Sequence, residues 1–92
     1  MRYAWDEEKN RRNRAKHGVS FETAQLVFED PFSLSVNDEG VAGEQRWHTL
    51  GSIGGIVVLL VVHTSEEDTG TIRIISARKA TPQERRRYEE TD

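Results

Sequence analysis

Cysteine is absent from the 92-residue chain, which excludes disulfide staples, thiolate metal sites and cysteine nucleophiles together. Only two prolines occur, and no repeat or low-complexity stretch interrupts the chain. Long apolar runs are missing as well. The longest, Ile56 to Val62, is far too short to cross a membrane. Met1-Arg2-Tyr3 leads straight into Trp5-Asp6 with no signal-type apolar core, which points to the cytoplasm. A chain of this length has room for one domain, residues 1–92. With 35% hydrophobic and 32% charged residues, its core must be compact and much of its surface ionic.

The net charge of −3 speaks against nucleic acid at first sight, because phosphate binding needs a basic footprint. Its distribution softens that objection. Residues 1–16 hold six bases against three acids, and residues 73–92 hold six bases against four. Between them Arg46 is the one base among nine acids. Two readings stand: the segments fold into a basic and an acidic face, or they are ordinary solvated surfaces.

Periodicity and punctuation outline the elements. Tyr3 to Trp5 reads as a short strand. Asp6 is a good N-cap, Glu7 and Glu8 fill a first turn, and Gly18 follows His17 as a left-handed stop, giving a helix over 6–17. Ala15 is its sole interior apolar residue, so it docks through Lys and Arg stems, Asn10 and Asn13, or lies partly free. Ser20 caps a second helix, Phe21 to Glu29, ended by Asp30-Pro31. The period then drops to two, with Phe32, Leu34 and Val36 alternating with Ser33, Ser35 and Asn37. Arg46 to Ile53, a Gly54-Gly55 turn, Ile56 to Thr64 and Thr71 to Arg78 continue as strands, the Ile56 strand apolar on both faces and therefore central. Thr81-Pro82-Gln83-Glu84 is a capping box opening a last helix. The expected class is α+β: two N-terminal helices, a four-strand antiparallel meander with a short strand before it, and a C-terminal helix. Helices cover one sheet face and leave the other at least partly open.

Three stretches carry a resemblance: Trp5-Asp6 with Asn13 and Ala15 to Phe21; Glu44 to Gly51 with Arg46-Trp47 and Leu50-Gly51; and Arg73 to Thr81 followed by Glu84-Arg85 and Tyr88-Glu89. In their order and spacing the chain resembles the BrnT family of toxins. The resemblance implies a RelE-like fold, RNA cleavage that halts translation, and neutralisation by a BrnA-like antitoxin that binds DNA through a ribbon-helix-helix domain, so that DNA is met only indirectly. No cofactor is implied.

Metal-free RNA cleavage uses the substrate's 2′-hydroxyl as nucleophile and needs a proton acceptor, a cation for phosphorane charge and a donor for the leaving oxygen. No helical His-x-x-x-His or similar metal spacing occurs. Arg78 and Lys79, closing the last strand, are candidates for phosphate clamping and for charge stabilisation or proton donation. Arg46 clamps substrate or pairs with a neighbour such as Glu44. His63 is a core or strand-end residue or the general base; its parity sets it beside Val57, Leu59 and Val61. His48, sharing parity with Arg46, is a second candidate base. Tyr88 brings a phenol from the last helix or packs with its hydroxyl at the rim. Arg73 and Arg85 are expected to contact RNA, whereas the run Arg85-Arg86-Arg87 otherwise reads as solvated. His17 reads as a helix cap, and Trp5 and Trp47 as core or interface anchors. Against the nuclease stands a catalytically inactive antitoxin-binding module or co-repressor, or an interaction domain without nucleic acid.

Overall fold

A computed structural model describes residues 1–38 and 45–90. Strands β1 (Arg2–Ala4), β2 (Leu34–Asp38), β3 (Arg46–Ile53), β4 (Val57–Glu66) and β5 (Thr71–Lys79) form one sheet in the order β1-β5-β4-β3-β2. The meander β2 to β5 is antiparallel, and β1 adds in parallel to the outer edge of β5. The strand that is apolar on both faces, β4, lies at the centre, as its sequence requires. Phe32 stays outside β2 and 60% exposed. Asp30 explains this: its carboxylate takes the Phe32 N–H and its carbonyl the Ser33 N–H, holding both residues in a turn.

Helix α1 (Glu7–His17) begins where the extended Asp6 accepts the N–H groups of Glu8 and Lys9, and ends at Gly18 with φ 73°. With no apolar stripe, it docks by amide chemistry. Asn13 donates to the carbonyls of Val19 and Ala77 and accepts the Ala77 N–H, standing where a strand partner would be along the β5 edge. Asn10 accepts the Phe21 N–H and donates to Glu7 and Glu22. Helix α2 (Phe21–Ala24) tightens into a 3₁₀ turn over Gln25–Glu29. That turn brings Val27 onto Gly51 of β3, where an added Cβ would stand 2.5 Å from a Val27 methyl.

The sheet separates two apolar clusters. On one face Val19, Phe21, Ala24 and Val27 pack on Leu59, Val61, Ile72, Ile74 and Ala77. On the other Leu50, Val58 and Leu60 pack with Leu34, Ala80 and Tyr88. Helix α3 (Pro82–Glu90) belongs to this second face rather than joining α1 and α2. The apolar residues on the reverse of β3 and β4 need cover, and α3 supplies it over one end only. The rest of that face is open, as expected.

One irregularity decides what the open face carries. Val62 pairs with Ser76 but His63 pairs with Ile74, leaving Ile75 as an extra residue in β5. Strict alternation would send Arg78 to the same side as Ile72 and Ile74. The bulge reverses the parity: Ala77 joins the helix-side core and Arg78 stands on the open face, opposite Leu60.

Candidate active site

Arg78 makes a two-pronged ion pair with Glu84 of α3, Nη1 to Oε1 at 2.8 Å and Nη2 to Oε2 at 3.0 Å. Glu84 is there because the expected capping box forms: it accepts the Thr81 N–H, and Thr81 Oγ1 accepts the Glu84 N–H. Hydrogen bonding to Arg78 holds the Glu84 carboxyl down at about 2. The same contact raises the guanidinium further above its ordinary value. The pair is therefore charged throughout the physiological range.

Across the groove, His48 Nε2 lies 3.2 Å from Asp38 Oδ2. These residues sit on adjacent strands, Val36 opposite His48 and Asp38 opposite Arg46. Arg46 is half-buried, and its Nε has no hydrogen-bond partner among the described residues. A groove of about 330 Å³ runs between β2 and β3 on one wall and α3 on the other, with Asp38, His48, Glu84 and Arg87 in its lining and Leu34, Leu50 and Leu60 as an apolar floor. The groove thus holds an imidazole beside a carboxylate on one wall and Glu84 and Arg87 on the other, and Glu84 in turn braces the Arg78 guanidinium on the same face of the sheet. A carboxylate-oriented imidazole can accept and return a proton, and a fixed guanidinium can hold a phosphate oxygen.

Other candidates stand elsewhere. His63 is on the helix-covered face, only 5% exposed, with Nε2 2.7 Å from Thr49 Oγ1, which is in turn 2.7 Å from Ser35 Oγ. Its ring meets Phe28 edge-on at 4.7 Å, and burial pushes its pKa down to about 4. The parity expected for His63 holds, and it is this parity that separates it from Arg78. Lys79 pairs with Leu59, so alternation puts it on the helix side at the exposed strand end. The Tyr88 hydroxyl donates to Asp30, whose same oxygen accepts the Ser52 N–H, tying α3 to the loop before β2. Arg73 is exposed at the far end of β5, and Arg85 reaches the Ile56 carbonyl and Glu89. Trp5 packs against Phe21 in the core, and Trp47 lines a hollow with Phe28 and His63. The alternative partner of Arg46, Glu44, lies outside the described residues.

Sequence reasoning passed over Glu84 and Asp38 as members of the site. Glu84 was visible as a capping residue, but its bond to Arg78 depends on the bulge. Asp38 closes β2, and only the strand register brings it to His48. Among the described residues no three His, Asp or Glu side chains gather where they could hold a metal ion, and no helix is long and apolar enough to cross a membrane.

Fold and groove together define a small α+β protein with a polar, ion-paired site on the open face of an antiparallel sheet. The chain belongs to the BrnT family: the family model described as the ribonuclease toxin, BrnT, of type II toxin-antitoxin systems matches residues 5–84. A crystal structure at 1.1 Å of the Brucella abortus ribonuclease toxin BrnT is similar, with 31% sequence identity and a TM-score of 0.66, over 88% of this chain and 97% of that one. No curated protein matches the chain. Membership in a family of type II toxins implies a protein antitoxin as partner.

Proposed function

We propose that this chain is a metal-independent endoribonuclease that cleaves RNA in the groove between β3 and α3 and so inhibits translation. His48, oriented by Asp38, takes the proton of the substrate 2′-hydroxyl as that oxygen attacks the adjacent phosphorus. Arg78, held by Glu84, stabilises the charge that builds on the phosphorane oxygens. Arg46 and Arg87 position the flanking backbone, and the imidazolium returns its proton to the departing 5′-oxygen. The 2′,3′-cyclic phosphate and the 5′-hydroxyl account for every atom of the broken bond. The observation that carries the reading is the placement of the His48–Asp38 and Arg78–Glu84 pairs on the same open face of the sheet.

These roles revise those expected from sequence. The base is His48 rather than His63, because a buried, neutral imidazole bonded to Thr49 meets no substrate. Tyr88 and Lys79 leave the chemistry, and Arg73 and Arg85 remain as outlying RNA contacts. The chain acts as one domain, residues 1–92, in the cytoplasm. Its partner is a BrnA-like ribbon-helix-helix antitoxin that covers the open face, and DNA is reached only through that partner.

A second reading has one observation in its favour. Glu84 occupies the fork of Arg78, as in a catalytically inactive antitoxin-binding co-repressor. Induced expression without antitoxin, with RNA integrity followed in the same cells, separates the two. Growth arrest with RNA fragmentation that Arg78→Ala abolishes is expected. Intact RNA and normal growth with soluble, folded protein would instead establish the co-repressor.

A further inference from the structure

On the ribonuclease reading above, we propose that the groove between α1 and β5 is a second, sequence-independent RNA site, a track that holds the phosphate backbone beside the cleavage face. The groove, about 240 Å³, is lined by Lys9, Arg12, Lys16 and His17 of α1 and by Ile75 and Ser76 of β5.

Three observations carry it. First, Lys9, Arg12 and Lys16 recur at three- and four-residue spacing, so they form one stripe of like charge that weakens an isolated helix. Among the described residues their one ion pair is a loose contact of Arg12 with Glu8 at 3.9 Å, between side chains about 70% exposed. A polyanion relieves such a stripe. Second, α1 is fixed by Asn10 and Asn13, so packing does not account for the cations. Third, the groove reaches Ser76, two residues before Arg78 on the same strand. The bulge at Ile75 turns both Ser76 and Arg78 to the open face, and these two residues lie only about 7 Å apart along the strand. A strand of RNA crossing Arg78 therefore runs past Ser76 onto the α1 cations. This path also resolves the conflict between an acidic net charge and a nucleic-acid substrate, since the acids concentrate in the middle of the chain and the track draws on its basic N-terminal segment.

The test uses the full chain and a 2′-O-methyl RNA oligonucleotide, which lacks the attacking hydroxyl, with binding followed by fluorescence anisotropy across a salt series. Lys9→Gln/Lys16→Gln is expected to weaken binding about tenfold near 0.1 M salt and to make the slope of log K against log salt shallower by about 1.4, or about 0.7 per cation. On cleavable RNA its KM rises while kcat stays within about twofold of the parent. Lys9→Arg/Lys16→Arg keeps parental binding. Should the glutamine variant not fold, Arg12→Gln gives the same readout at half the change in slope. Unaltered affinity and slope in a folded variant, beside a parent protein that binds and cleaves, overturns the track alone. So does a loss confined to antitoxin binding, which reassigns the groove to the protein partner. A parent protein that neither binds nor cleaves RNA overturns the ribonuclease reading, and the track with it.

Discussion

Two histidines on neighbouring strands face opposite sides of one sheet, and their surroundings could hardly differ more. His63 is enclosed by Phe28, Thr49 and the helix-side core, and burial keeps it neutral down to a pH of about 4. His48 stands at the rim of an open groove beside the Asp38 carboxylate. One closes a hydroxyl chain that runs from Ser35 through Thr49; the other is proposed to meet a substrate. Residue type therefore says little about role here, and the face of the sheet says nearly everything. The helix-covered face provides stability, and the open face is the one proposed to carry chemistry.

Arg78→Ala tests that division most severely. Removing a fixed donor to the phosphorane is expected to lower single-turnover RNA cleavage by 10²–10³-fold, on the order of 3–4 kcal/mol, while loss of the Glu84 pair lowers the thermal transition by several degrees and leaves the protein folded at the assay temperature. Full activity in folded Arg78→Ala protein would end the assignment of the open face. His63→Ala is the counterpart. It leaves a cavity and strips Thr49 of a buried partner, at a cost of about 3 kcal/mol in urea unfolding, while the folded fraction keeps cleaving at near the parental rate. A large loss of cleavage by folded His63→Ala would reverse the comparison.

The same residue makes stability depend on pH. Folded His63 takes up a proton only near pH 4, whereas an unfolded histidine does so near 6.5. Its contribution is thus complete above about 6.5 and is lost as pH falls through the interval down to about 4. From pH 7 to pH 5 the loss should be about 2 kcal/mol, read as a falling urea midpoint. In that window Glu84, held at about 2, is still ionised. A midpoint that does not move between pH 7 and pH 5 would mean that the imidazole is not buried as described.

Much of this architecture was legible in advance. The limits of β3, the Asp6 and Gly18 ends of α1 and the central position of β4 follow from local patterns. The docking of α1 was harder to read, because its anchors are two asparagines whose partners lie at Phe21 and at Ala77, 64 residues away from Asn13. The direction of Arg78 was illegible for another reason. One extra residue at Ile75 inverts every parity beyond it, and nothing in Thr71 to Lys79 marks where a bulge will fall. The His48–Asp38 contact depends on the β2–β3 register, which local sequence does not set.

Smaller substitutions sharpen the contrast. On the helix face, Gly51→Ala adds a methyl 2.5 Å from Val27 Cγ1 and 3.0 Å from the Val27 carbonyl. The 3₁₀ turn has to shift, which should cost about 2 kcal/mol of stability without touching the groove. Denaturant unfolding checks it, and an unchanged midpoint would mean that this helix packs less tightly on β3. On the open face, Asp38→Asn keeps shape and hydrogen bonding but removes the charge that steadies an imidazolium. The expected effect is about tenfold on kcat, or about 1.4 kcal/mol, with KM unchanged because the amide makes no demand on the bound ground state. Asp38→Glu should recover part of the loss, which a purely structural role would not allow, since the longer side chain fits the strand pair worse. If Asp38→Asn instead lowers the thermal transition and leaves kcat intact, Asp38 merely pins β2 to β3, and His48 acts without an orienting partner.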